Sequence, residues 1–130
     1  MGQDEIVREF YKALMVADAD ALNKYVVRDV IVREPPSLPF GGDHHGIDAM
    51  LSVGRQIFQE SFEFRSFDIL TMTKGGDVVV ATVRTTGVAR ATGKEVDITA
   101  AEVFRFQADK IAEIQTFWFD SAGAIAALEA

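Results

Sequence analysis

Two carboxylates stand in apolar company. Glu34 ends the run "RDVIVRE", immediately before Pro35 and Pro36, and Glu102 sits inside "ITAAEVFRF". Both runs are rich in β-branched and aromatic residues, and strand alternation assigns their faces. Val30, Val32 and Glu34 share one face, with Ile31 and Arg33 on the other. Ile98, Ala100, Glu102, Phe104 and Phe106 share a face, with Asp97, Thr99, Val103 and Arg105 opposite. A carboxylate in such a row is costly unless it is paired, hydrogen-bonded or protonated. A pair of this kind fits general acid–base chemistry on a carbonyl compound. Glu34 would move the proton, and Glu102, its pKa raised by burial, would donate a hydrogen bond to the developing oxyanion. The plainer alternative leaves Glu34 solvated at the mouth of a loop and Glu102 held in a structural pair.

Arg84 is the candidate partner for that structural pair. In "VATVRTT" it shares a face with Val80, Thr82 and Thr86. A three-residue Thr92-Gly93-Lys94 turn pairs Ala91 with Glu95 and brings Arg84 opposite Glu102. A two-residue Thr92-Gly93 turn slips the register by one and breaks that pairing. With a three-residue turn, Val79, Ala81, Val83 and Thr85 fall on the outer sheet face. Together with Phe117 and Phe119 they form an apolar surface that a second copy of the chain would cover.

All three prolines and both histidines lie in "VREPPSLPFGGDHHG". The prolines end the strand beyond Glu34, and Gly41-Gly42 lets the chain turn back. Leu38, Phe40, His44 and His45 are then expected to line or cover a cavity entrance, as a lid does, the alternative being a plain connector. Adjacent histidines in an extended loop point opposite ways, and no HExxH spacing accompanies them, so no metal site is expected. Tyr11 either buries its ring and finds one partner for its hydroxyl or presents that hydroxyl to a pocket. Phe104 and Trp118 are core residues that can also form a ligand platform. Neither glycine pair fits a phosphate-binding loop.

The positioning elements follow from periodicity. Ile6, Val7, Phe10, Tyr11, Leu14 and Met15 recur at helical spacing, and "ADADALNKYVV" is a second short helix capped by Asp18 or Asp20. A third helix starts at Ile47 and carries Met50, Leu51, Gly54, Ile57 and Phe58 inward. Beyond Phe62, "FDILTMT", "DVVVATVRTTGVAR", "EVDITAAEVFRF" and "KIAEIQTFWF" are strands separated by turn-forming "KGGD", "ATGK" and "QADK". "FDSAGAIAALEA" closes as a short helix capped by Asp120 or Ser121. Helices gathered before a strand meander define an α+β chain, with helices on one face of a curved antiparallel sheet and a cavity at its open end.

The 130 residues suit one domain, spanning 1–130. Without cysteine, disulfides and thiolate chemistry are excluded, and a reducing cytoplasm is the expected compartment. The first residues, "MGQDEIVREF", lack the basic and apolar regions of a secretory signal. A formal net charge of −7, from 13 Lys+Arg against 20 Asp+Glu, argues against a nucleic-acid partner, and no apolar stretch suits a membrane. A small molecule or a copy of the chain itself is the expected partner.

Four stretches, "VREFYKALMVADADAL", "DVIVREP", "AAEVFRF" and "DKIAEIQTFWF", together with the element order, carry a family likeness over nearly the whole chain. The chain resembles SnoaL-like members of the nuclear transport factor 2-like superfamily, which includes ketosteroid isomerases and polyketide cyclases. The resemblance implies a cystatin-like cone, a curved antiparallel sheet wrapped around N-terminal helices, dimeric through its outer face. It implies cofactor-free chemistry by a carboxylate base with a tyrosine and a protonated acid as oxyanion hole. Glu34 before Pro35 is similar to the base position, where the family pattern has Asp, and Glu102 matches the protonated acid. Both acids are one methylene longer than the pattern. The tyrosine's place falls on Phe10, with Tyr11 beside it and pointing about 100° away on an ideal helix. Catalytic Glu34 and Glu102 are thus expected among pocket residues Tyr11, Phe40, His44, Arg84, Phe104 and Trp118, with no cofactor. The expected function is an isomerase, cyclase or lyase acting by proton transfer on a small hydrophobic carbonyl compound. The alternatives are a non-catalytic binding module for a hydrophobic ligand, or an epoxide hydrolase built on an acid–Arg–acid pocket.

Overall fold

The computed structural model describes residues 1–130. Helix α1, Gln3–Met15, presents Ile6, Val7, Phe10, Tyr11 and Ala13 to the core. Helix α2, Ala19–Tyr25, is capped by the Asp18 side chain, which accepts from the Ala21 N–H at 3.1 Å. Strand β1, Val26–Glu34, continues directly from it. A short strand β2, Gly42–His45, precedes helix α3, Ile47–Arg55, and a π-helical turn, Gln56–Ser61. Long strands β3 (Phe62–Gly75), β4 (Val78–Ala89), β5 (Glu95–Gln107) and β6 (Lys110–Trp118) follow. Helix α4, Ser121–Leu128, is capped by Asp120, whose side chain accepts from Gly123 N–H at 2.9 Å.

The six strands form one curved sheet in the order β2-β1-β6-β5-β4-β3. Every pairing is antiparallel except that of β1 with β6, which is parallel. The first strand therefore joins the far edge of the meander. That junction places Glu34, at the end of β1, beside Thr116 of β6. A buried cluster centred on Val7, Phe10, Leu22, Val30, Phe62, Val79, Phe104 and Ile111 fills the space between helices and sheet.

Two expectations are corrected by this arrangement. The β4–β5 connection is longer than either turn considered, pairing Val88 with Glu95 across Ala89–Lys94. Arg90 holds it, donating to the Phe62 carbonyl at 2.9 Å, while Thr92 donates to the Ala127 carbonyl at 2.6 Å. The register that results sets Arg84 opposite Thr99 and Ala81 opposite Glu102. Val79, Ala81, Val83 and Thr85 consequently face inward and are buried, and the Arg84 row faces outward.

The proline segment is also not a lid. Leu38 N–H bonds the Pro35 carbonyl at 3.1 Å and Gly41 N–H the Leu38 carbonyl at 2.9 Å, giving two compact turns between β1 and β2. Leu38 and Phe40 are buried, with the Phe40 ring 5.6 Å from Trp118 and 6.5 Å from Phe62. Only glycine fits at position 41, because a Cβ there would lie 2.2 Å from the Pro35 carbonyl oxygen.

Candidate active site

The concave side of the sheet and the helices enclose a cavity of about 780 Å³, counted out to the solvent at its mouth. Fifteen of its 20 lining residues are hydrophobic. Helix α1 supplies Phe10, Tyr11 and Leu14; α3 and the π-helical turn supply Met50, Val53, Gly54, Ile57 and Phe58; β3 supplies Phe64 and Phe67. The remaining wall is sheet, including Glu34, Glu102, Thr116 and Trp118. Alternation explains that membership. Val32 and Glu34 enter from β1, Ile98, Ala100 and Glu102 from β5, and Ile114, Thr116 and Trp118 from β6.

Glu34 is 6% exposed. Its partner is the Thr116 hydroxyl, which lies 2.7 Å from Oε2 and 3.0 Å from Oε1. Desolvation raises its pKa; the Thr116 hydrogen bond opposes the rise and the charge of Glu102 adds to it, leaving it at about 8. Glu102 borders the open space and keeps some accessible surface, yet protein surrounds it more broadly. Desolvation pushes its pKa up, against a hydrogen bond from Tyr11 that acts to lower it. Tyr11 Oη donates to Glu102 Oε1 at 2.6 Å. Burial and then the neighbouring Glu102 push the phenol up, so Tyr11 is a neutral donor throughout the ordinary pH range.

Tyr11 holds its place by ring contacts, 4.9 Å from Phe67 and 5.6 Å edge-on from Phe104. Phe10, where the family likeness placed the tyrosine, also borders the cavity, but it is the next residue that delivers a hydroxyl to Glu102. Both fit because α1 lies with a broad face against the sheet.

Other expected pocket residues stand elsewhere. Arg84 projects from the outer sheet face and forks onto Asp97, Nε to Oδ1 at 2.8 Å and an Nη to Oδ2 at 2.7 Å. That hydrogen-bonded pairing raises the guanidinium pKa and lowers that of Asp97. No arginine lies between the two acids, which removes the basis for an acid–Arg–acid epoxide site. Phe40 packs behind Trp118 and outside the lining. Phe104 is buried beneath Tyr11 and Phe10. His44 sits on edge strand β2, its Nε2 2.8 Å from the Phe40 carbonyl oxygen, away from both acids. No group of three or more His, Asp or Glu side chains is arranged to hold a metal ion. Thr116 was open to sequence analysis by the rule that singles out Glu102, a polar side chain between Ile114 and Trp118. Phe58 was traceable only as a member of the helical row from Ile47, and Phe64 and Phe67 gave no comparable signal.

A curved, mostly antiparallel sheet closed by N-terminal helices over a largely apolar cavity defines an α+β cone. Residues 7–114 match the family described as SnoaL-like domain, and the chain belongs to that family. No curated protein matches it in sequence. Among solved structures, a nuclear transport factor 2-like protein of unknown function from Burkholderia pseudomallei superposes with a TM-score of 0.86 at 22% identity, covering 100% of both chains. A protein of unknown function with a cystatin-like fold from Xanthomonas campestris gives 0.79 at 23%, again over 100% of both. A Catenulispora acidiphila protein with a ketosteroid isomerase-like fold, in complex with trimethylamine, gives 0.78 at 16%, covering 95% of this chain and 91% of that one. These likenesses agree with the expected cystatin-like, nuclear transport factor 2-like fold.

Proposed function

We propose that the protein is a cofactor-free isomerase, cyclase or lyase that moves a proton on a small hydrophobic carbonyl compound. The observation that carries this reading is the pair of carboxyls, Glu34 buried and Glu102 half-buried, facing one apolar cavity, each hydrogen-bonded by a neutral hydroxyl. Glu34, in its ionised form, takes the proton α to the carbonyl. The C–H electron pair flows into the enolate, and the oxyanion accepts a hydrogen bond from protonated Glu102. Tyr11 donates to the other oxygen of Glu102 and so orients its remaining proton toward the cavity. For an isomerisation Glu34 then returns its proton to a different carbon of the conjugated enolate. For a ring closure the enolate carbon attacks a second carbonyl carbon of the same molecule, that C=O electron pair moves onto its oxygen, and Glu34 gives its proton to this new alkoxide. A base with a pKa of about 8 is ionised to roughly a tenth at pH 7, a compromise between availability and basicity.

The test is proton exchange, which requires no knowledge of the natural product. A panel of cyclic and aryl ketones is incubated with the protein in D₂O and α-deuteration followed by NMR. The expected result is exchange that rises with pH to a plateau above about 8. Glu34→Gln loses at least about 10²-fold. Ligand binding without exchange for any ketone would overturn the catalytic reading in favour of a binding module. For assembly, we propose a homodimer through the outer sheet face, where Phe117 and Phe119 are 50% and 88% exposed.

A further inference from the structure

We infer that the ligand of this cavity is a hydrophobic cation, its amine or quaternary ammonium group seated between Glu34, Glu102 and the surrounding aromatic rings. This rests on the reading that the cavity is a small-molecule site and adds a charge to its ligand. The first observation is an imbalance. Among the lining residues only Tyr11, Glu34 and Glu102 titrate, and there is no lysine, arginine or histidine. The ion pairs of the molecule lie outside the cavity: Arg33 with Asp43 and Glu113, Arg84 with Asp97, Arg105 with Glu113, and Lys12 with Glu9. The two cavity acids thus have no counter-charge of their own.

The second observation is the direction of the hydrogen bonds. The Tyr11 and Thr116 hydroxyls already give their protons to the carboxyls. Beside the two acids the only protons left for a ligand are the carboxylic ones, and once those leave, the pair offers acceptors alone; a further free donor of the cavity is the Thr85 hydroxyl, on β4. The third is the wall. Phe10, Tyr11, Phe58, Phe64, Phe67 and Trp118 surround the same space, and ring faces attract cations. An anion would oppose ionisation of either acid and find no cation in the cavity wall, and a neutral ligand would leave this complementarity unused. The net charge of −7 also favours the approach of a cation.

Binding of a cation has a protonic consequence. The groups facing Glu34 are Glu102 from β5 and Tyr11 from α1. Thr116 on β6 is neutral, and α3, the π-helical turn, β3 and β4 bring no titratable side chain to the cavity. A cation beside Glu34 lowers its pKa, so near neutral pH the carboxyl releases its proton to solvent as the ligand enters. In this way a cationic substrate generates the ionised base that proton abstraction requires.

The experiment is calorimetric titration of the wild-type protein at pH 7 with phenyltrimethylammonium, with its neutral near-isostere 2-phenyl-2-propanol, and with the anion 2-phenylpropanoate. Each titration is repeated in buffers of different ionisation enthalpy, which reports proton release. The expected result is at least about tenfold tighter binding of the ammonium than of the alcohol, no binding of the anion, and release of up to one proton per cation. In Glu34→Gln the proton release disappears, with folding checked by circular dichroism; the wild-type comparison stands without that variant. Equal or tighter binding of the alcohol overturns the inference and leaves a neutral-ligand pocket. Binding of neither overturns it together with the small-molecule reading. Ammonium binding with no ketone exchange would instead sink only the catalytic proposal.

Discussion

Glu34 couples stability to pH, because its carboxyl is neutral in the folded state at a pH where the unfolded chain ionises it. The sign follows from proton counting. Below about 4.5 the group is protonated in both states and makes no difference. Between there and about 8 the native state binds the extra proton, so stability falls as pH rises, and it levels off above. At about 1.4 kcal/mol per pKa unit, the loss amounts to several kcal/mol. Urea unfolding from pH 5 to pH 9 is expected to show this slope in the wild type and a smaller one in Glu34→Gln, where Glu102, also raised by burial, still contributes in the same direction; parallel curves would refute the assignment. Tyr11→Phe removes the donor to Glu102. It is expected to cost about 1–2 kcal/mol in the same assay. Because the lost hydrogen bond acts to lower the Glu102 pKa, that carboxyl should titrate still higher in the variant.

The elements show which features alternation makes legible and which it does not. Faces within a strand follow from a period of two, and so Glu34, Glu102 and Trp118 are traceable to the cavity from sequence alone. Register between strands depends on the turn. Here the turn is fixed by Arg90 and Thr92 reaching carbonyls 28 and 35 residues away, contacts no local pattern records. A three-residue error there, an odd number, moved Arg84 to the wrong side of the sheet and exchanged it with Val83 and Thr85. Strand β2 was hidden because Gly-Asp-His-His has no strand composition, and its pairing is imposed by β1 across the proline turns. Gly41 is the most exacting point of that connection. Gly41→Ala is expected to destabilise by about 2 kcal/mol or more, read as a lowered urea midpoint, since the added carbon would meet backbone atoms of Pro35, Pro36 and Leu38. Two helix caps, in contrast, were narrowed by residue type to Asp18 or Asp20 and to Asp120 or Ser121, and it is Asp18 and Asp120 that accept.

At the scale of the whole molecule, the family and the fold were accessible to sequence because they depend on element order and on apolar rows. The chemistry depends on how one wall of that fold desolvates two acids. The outer wall carries a separate expectation. If the exposed Phe117 and Phe119 mark a dimer face, sedimentation equilibrium gives a dimer for the wild type and a monomer for Phe117→Arg; a wild-type monomer at tens of micromolar would contradict it. None of the helices is long and apolar enough to cross a membrane. The account as a whole turns on a carboxyl kept neutral at the wall of an otherwise apolar cavity. The most direct measurement is a ¹³C NMR titration of the glutamate side-chain carboxyls in the folded protein, with the Glu34 signal identified by its loss in Glu34→Gln. The account predicts a midpoint near 8 for that signal. A midpoint in the ordinary glutamate range, near 4.5, would contradict it.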